Sequence, residues 1–236
     1  MALYVFAKTR SLKLKWLVSV ISVICIFSGV SLLAWALYPI ISFELFYAPR
    51  FGSLVKPIAS EEIKNTIAQG FPQVLGTEDI DYTRASVWFP KARSLKLDIT
   101  TSSYWLSIPK LRIEKAAVVL GAEDLTKSLI HFTGPLPGNL GNPVIFGHST
   151  LIWFYNPTDY RTIFSKLPEL KIDDPIFITI DNITYQYKIY EMKIVTPEDL
   201  SVLEQNYDGA YITLITCVPP GTYFKRLAVL GKLVNI

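Results

Sequence analysis

The sequence predicts an all-β fold, a closed or nearly closed β-barrel, carried behind one N-terminal transmembrane helix. Three observations predict it. The run from Trp16 to Phe43 contains no charged residue, and about 20 apolar residues are enough for a helix to cross the hydrocarbon core of a bilayer. From about Asp98 onward, short runs rich in Val, Ile, Thr, Tyr and Phe alternate with Gly, Pro, Asn and Asp clusters, which is the pattern of strands joined by turns. Helical periods are few over that same stretch, as expected of a barrel rather than an α/β fold.

Residues 1–15 form a basic tail with Lys8, Arg10, Lys13 and Lys15 and no acidic residue. The positive-inside rule places this tail in the cytoplasm, the span at 16–40, and everything after it outside the cell. Ala34-Trp35-Ala36 resembles a signal-peptide cleavage site. The apolar run is longer than an ordinary signal core and continues past that site, which favours an uncleaved anchor. Residues 41–97 follow as an extracellular stalk and N-terminal segment. Within it, Ser60–Gly70 reads as a short capped helix. Its "VWFP" cluster at 87–90 is apolar enough to be expected to pack on the barrel.

The barrel itself is expected over 98–236. "YWLSIPKLRI" and "KAAVVL" open it, followed by the loop "HFTGPLPGNLGNP" and then "VIFGHST". "IFITI" and "ITYQYKIYEMKIV" are joined by Asp181-Asn182, a two-residue hairpin turn. "YITLITC" and "RLAVLGKLV" close the chain. One short helix is expected around 159–170.

Composition narrows the function. The formal charge of +3 is a property of the tail. Setting aside its four basic residues leaves 19 Lys and Arg against 20 Asp and Glu, too balanced for a nucleic-acid surface. There are two cysteines. Cys25 lies inside the span and Cys217 outside it, so no disulfide framework is expected. Cys217 ends a strand and opens the turn Val218-Pro219-Pro220-Gly221, with Thr213, Ile215 and Cys217 on one face.

A lone external thiol is buried filler or a nucleophile. Two histidines exist, His131 and His148. His131 is read as a loop residue bonding local backbone. His148 ends an apolar run in "FGHST", and Arg226 begins the last strand across the turn from Cys217. A thiolate, an imidazolium to protonate a leaving amine and a guanidinium to hold an oxyanion form a working set. Glu123/Asp124 and Glu198/Asp199 pair carboxylates in loops, read as solvated surface rather than calcium ligands. No cofactor and no metal are expected.

"TLITC" with arginine nine residues later, and "FGHS" upstream, resemble the sortase family of membrane-anchored cysteine transpeptidases. "LSIPKLRI" (106–113), "HFTGPLPGNLGNPVIFGHS" (131–149) and "CVPPGTYFKRLAVLGKLV" (217–234) extend the resemblance in consistent order. It implies an eight-stranded sortase-type β-barrel with short helices, and His148, Cys217 and Arg226 as the catalytic residues. It implies cleavage of a Leu-Pro-x-Thr-Gly-type sorting signal through a thioacyl-enzyme. The implied partners are surface proteins bearing C-terminal sorting signals and an amine acceptor, either a cell-wall precursor or a pilin lysine. Tyr223 stands where many relatives have Asn and Lys225 where several have His, which bears on substrate preference. No second apolar run precedes Ile236, as expected of single-anchor members. The alternatives are a thiol endopeptidase of the same fold and an inactive, membrane-tethered peptide-binding barrel.

Overall fold

The computed structural model describes residues 12–51, 81–92 and 103–235. The helix expected at 60–70 lies outside them. Eight strands run in the order β1 (Ser103–Ile108), β2 (Ile113–Leu120), β3 (Leu129–Thr133), β4 (Val144–Phe146), β5 (Pro175–Ile180), β6 (Ile183–Val195), β7 (Tyr211–Val218) and β8 (Lys225–Asn235). They close into a barrel with the neighbour order β1-β2-β3-β4-β7-β8-β6-β5. The β2–β3 and β4–β7 pairs are parallel and the others antiparallel.

The strands alternate, as a barrel wall requires. In β1, Tyr104, Leu106 and Ile108 are buried while their neighbours are not. The turn between β5 and β6 is the expected one: Asp181 and Asn182 both take left-handed backbone, φ 48° and 67°, the conformation a tight two-residue hairpin needs. β3 departs from expectation. "HFT" reads as the start of the Gly/Pro loop, yet it belongs to a strand that pairs with β2 in parallel and with β4 antiparallel.

The helix expected at 159–170 is also different. Consecutive turns lead into a short 3-10 helix at Leu167–Glu169. Phe164 N–H donates to the carbonyl of His148 at 3.1 Å instead of to a helical partner, and Pro168 has no N–H to give. The segment still behaves as core, with Ile163, Phe164, Leu167 and Leu170 buried.

Two apolar clusters result. The first fills the barrel with Leu106, Ile145, Ile178, Tyr187, Leu214 and Val229 among others. The second lies on the other face of β4, β7 and β8, where Phe146, Ile215, Cys217 and Ala228 meet Trp88 and Phe89 from the 81–92 segment. So "VWFP" does pack on the barrel, on the wall that carries Cys217.

A helix, α1 (Leu12–Ser42), precedes the barrel. It is long and apolar enough to cross a membrane. Beyond it, Phe43 and Phe51 are buried in the barrel's own cluster, and Glu44 pairs with Lys225 at 3.3 Å.

Candidate active site

Cys217 and Arg226 are direct Cα partners across β7 and β8. By alternation Arg226 shares its wall face with Ala228 and Leu230, the face that also carries Cys217. β4 runs parallel to β7 on the opposite side, with Phe146 level with Ile215. The pairing continues past the strand's end: Gly147 N–H donates to the Ile215 carbonyl at 3.1 Å. Thr216 Oγ1 donates to the Gly147 carbonyl and Ser149 Oγ to the Cys217 carbonyl, both at 2.8 Å. Carrying that register on sets His148 level with Cys217. The three expected residues therefore stand on adjacent strands or strand ends, with the cysteine in the middle.

Two side chains that sequence reasoning passed over, Thr216 and Ser149, clamp the histidine's loop to the cysteine's strand. Gly147 is required for the same approach. A Cβ there would lie 2.2 Å from the ring of Phe164, deep inside van der Waals contact.

His131, the other histidine, sits in the interior on β3 rather than in a loop. Its Nε2 is 3.1 Å from the carbonyl of Gly134, and its Nδ1 is 2.9 Å from the hydroxyl of Tyr104. A carbonyl only accepts, so Nε2 carries the hydrogen and Nδ1 accepts from Tyr104. The expected bond to local backbone is present, but the ring is enclosed. Burial holds its pKa down to about 4. Both nitrogens are occupied, which leaves His148 as the histidine with capacity for chemistry.

The site is covered. Exposure is 0% for Cys217, 1% for Arg226 and 8% for His148. Trp88 stacks on Phe146 at 5.3 Å between centroids, and Phe89 lies 5.7 Å from the same ring. The Arg226 guanidinium lies 5.4 Å from the Trp88 ring centroid. Its Nη2 donates to the Trp88 carbonyl at 3.2 Å, and Nη1 donates to the carbonyls of Tyr223 and Lys225 at 3.0 and 3.2 Å. Nε of Arg226, Nδ1 of His148 and Oγ1 of Thr150 are buried with no hydrogen-bond partner among the described residues.

The cover is tied down by the β2–β3 loop. Ala85 N–H donates to the Glu123 carbonyl and Leu125 N–H to the Thr83 carbonyl, each at 2.9 Å. Ser86 N–H donates to the Glu123 carboxylate at 3.2 Å, so this acidic pair is more than solvated surface. Tyr82 stacks on Tyr223 with centroids 4.1 Å apart. The Asp124 carboxylate accepts from Thr126 and pairs with Lys127 at 2.9 Å. These bonds, that from Thr126 first, hold its pKa at about 2. No group of three or more metal-ligating side chains is found among the described residues.

Enclosure sets the protonation state. Burial pushes the Cys217 thiol up to about 11, against a lesser downward pull from Arg226. Burial also lowers the pKa of His148. Both effects favour neutral forms, so thiol and imidazole rest uncharged beneath the cover.

A closed eight-stranded barrel with a cysteine near the end of β7 and an arginine near the start of β8 has the architecture of the sortase fold. Residues 106–234 match the family model for the sortase domain, more than half of the chain. Sortase D of Bacillus subtilis is 28% identical over 147 residues, 60% of this chain and 69% of that protein. Sortase A of Bacillus anthracis is 29% identical over 134 residues, 55% of this chain and 59% of its own length. Among solved structures, a lid mutant of sortase A from Corynebacterium diphtheriae superposes with a TM-score of 0.50 at 30% identity, covering 58% of this chain and 72% of that one. Sortase C1 from Streptococcus agalactiae gives a TM-score of 0.50 at 29% identity, covering 59% and 72%. The chain belongs to the sortase family of cysteine transpeptidases.

Proposed function

We propose that this chain is a single-pass, membrane-anchored transpeptidase that uses Cys217, His148 and Arg226 to cleave a Leu-Pro-x-Thr-Gly-type sorting signal. The single observation that carries the reading is the placement of Cys217 between its direct partner Arg226 and the clamped loop of His148. The unpartnered Nδ1 and Nε on either side support it, because buried polar atoms are normally satisfied and a substrate would satisfy these.

Displacing Trp88 admits the peptide and water, which relieves the burial that keeps thiol and imidazole neutral. A proton passes from Cys217 to His148, and the thiolate attacks the threonine carbonyl. Arg226, freed from the Trp88 carbonyl, donates to the developing oxyanion. The His148 imidazolium protonates the departing glycine amine, leaving a thioester on Cys217. An amine then attacks that thioester and gives its proton to His148; the Cys217 thiolate leaves and takes that proton back, restoring the neutral thiol and imidazole.

The acceptor amine, from a cell-wall precursor or a pilin lysine, is the expected second substrate, and surface proteins with C-terminal sorting signals are the expected first. By the positive-inside rule the N-terminus lies in the cytoplasm and the barrel at 98–236 outside the cell, joined through the span at 16–40 and the segment 41–97.

The full chain in detergent, incubated with a Leu-Pro-x-Thr-Gly peptide library, tests this by intact-mass spectrometry. A peptide truncated after threonine should appear on Cys217 and be absent from Cys217→Ala. Added amines should then release it as an amide. Release only as the free acid would favour an endopeptidase. A folded chain that binds peptides without forming any adduct would favour a binding barrel.

A further inference from the structure

The turn that follows the histidine's loop carries exposed aromatic side chains that barrel packing does not explain. Trp153 and Phe154 are 48% and 63% exposed. Trp153 nonetheless has partners, and they belong to α1: it stacks on Trp35 at 5.4 Å with an interplanar angle of 11°, and on Tyr38 at 5.9 Å and 16°.

That stacking fixes a height. At 1.5 Å per residue, Trp16 and Trp35 are about 28 Å apart along the helix axis, close to the roughly 30 Å of a bilayer's hydrocarbon core. Tryptophan and tyrosine favour the two membrane–water boundaries. Trp35 and Tyr38 therefore mark the outer boundary, and Trp153 lies beside them, about 10 Å back from the helix end at Ser42. The barrel cannot swing away from this position freely. Phe43 is buried in its core, and Glu44 is paired with Lys225.

The surroundings suit a headgroup layer. A cavity of about 360 Å³ opens between helix end and turn, lined by Tyr38, Tyr47, Arg50 and Trp153 among others. The Arg50 guanidinium stands 5.5 Å from the Tyr47 ring centroid, a cation on the wall of that cavity. Leu45 and Phe46 on the connecting turns are also exposed, continuing the apolar rim.

We infer that the 151–154 turn is a second membrane contact. Trp153 and Phe154 insert into the headgroup layer of a phospholipid bilayer beside α1, with Arg50 against lipid phosphate. The inference rests on reading α1 as a membrane anchor. It holds the loop of His148 at the membrane surface. The enzyme would then work on peptides whose scissile bond lies close to the bilayer.

Depth measurements on the full chain in vesicles test it. In a Cys25→Ser, Cys217→Ser background, a nitroxide is attached at Phe154→Cys, at Leu32→Cys or at Tyr190→Cys, all exposed on the protein surface. Collisions with oxygen and with a water-soluble nickel chelate are then compared. The label at 32 should collide with oxygen and not nickel. The label at 154 should show a several-fold loss of nickel collisions relative to the label at 190, which packs against Tyr211 at the end of β7 away from Cys217. The protection should grow when phosphatidylglycerol replaces phosphatidylcholine, and Arg50→Gln should remove that growth. A lipid-protected label at 32 with a fully nickel-accessible label at 154 overturns the docking alone. A nickel-accessible label at 32 overturns the anchor reading beneath it. Protection at 154 that ignores lipid charge removes Arg50 from the contact.

Discussion

The guanidinium of Arg226 donates to the main-chain carbonyl of Trp88 at 3.2 Å while the ring of the same tryptophan lies 5.4 Å from its Cζ. One residue thus engages the arginine twice, once through a carbonyl and once through a π-face. A peptide carbonyl beside Cys217 is also what a bound substrate would present. Under the proposed function the cover over the thiol would compete with substrate for the same donor, and residues 81–92 would have to shift before Cys217 could react.

Replacing Trp88 tests this coupling. Trp88→Ala removes the ring that helps to enclose Cys217 and shifts the thiol pKa from about 11 toward its ordinary value of 9.0. Two pKa units bound the gain at roughly 100-fold more thiolate near pH 7.5. Alkylation of Cys217 by iodoacetamide should accelerate by roughly ten-fold or more within that bound. A thermal melt confirms that the variant is folded, since truncating a buried tryptophan costs about 3–5 kcal/mol. An unchanged alkylation rate in a folded variant would show that Trp88 does not gate the thiol.

The wild-type pH profile is a separate matter. With the thiol held at about 11 by burial, the thiolate fraction rises about ten-fold per pH unit throughout the range below it. Alkylation should climb steadily from pH 6 to pH 9 without a plateau. A plateau reached near pH 7 would mean that a thiolate–imidazolium pair already stands in the resting enzyme.

Much of this was legible in the sequence, for identifiable reasons. The hairpin at Asp181-Asn182 and the strands that carry Cys217 near the end of one and Arg226 near the start of the next are local features, and local chemistry wrote them plainly. β3 was hidden because its partners are distant. Leu129 pairs with Val118 and His131 with Ile145, while the glycines and prolines just beyond Thr133 read as loop. The 159–170 segment has helical spacing, yet its Phe164 N–H is taken by His148. The role of Trp88 was only half visible. Composition showed that "VWFP" needs burial, but the carbonyl contact to Arg226 is a main-chain interaction with no signature in side-chain identity.

Arg226 offers a substitution that separates charge from geometry. Arg226→Lys keeps a cation near Cys217 but loses the fork that reaches several acceptors together. If the guanidinium holds the oxyanion, acyl-enzyme formation should fall by about 10²–10³-fold. The alkylation rate of Cys217, which needs no oxyanion, should change far less. A parallel fall in both would mark Arg226 as a residue that only tunes the thiol. Full acylation by a less stable protein would mark it as structural.

His131 predicts an acid-side loss of stability independent of catalysis. Its ring is neutral in the fold because burial lowers its pKa to about 4, whereas the unfolded chain binds a proton near 6.5. Below that value the unfolded state holds the extra proton, so stability is complete above pH 6.5 and is lost as pH falls toward 4. The shift of about 2.5 units corresponds to about 3 kcal/mol over that window. Asp124 titrates lower, since its pKa is held at about 2, so it does not obscure the slope. His131→Gln can still accept from Tyr104 and donate to Gly134 but carries no titrating ring. Urea unfolding midpoints between pH 7.5 and 4.5 should therefore decline steeply in the wild type and much less in the variant, with the remaining slope reporting His148, whose pKa burial also lowers. Equal slopes in the two proteins would show that His131 is already able to take a proton inside the barrel.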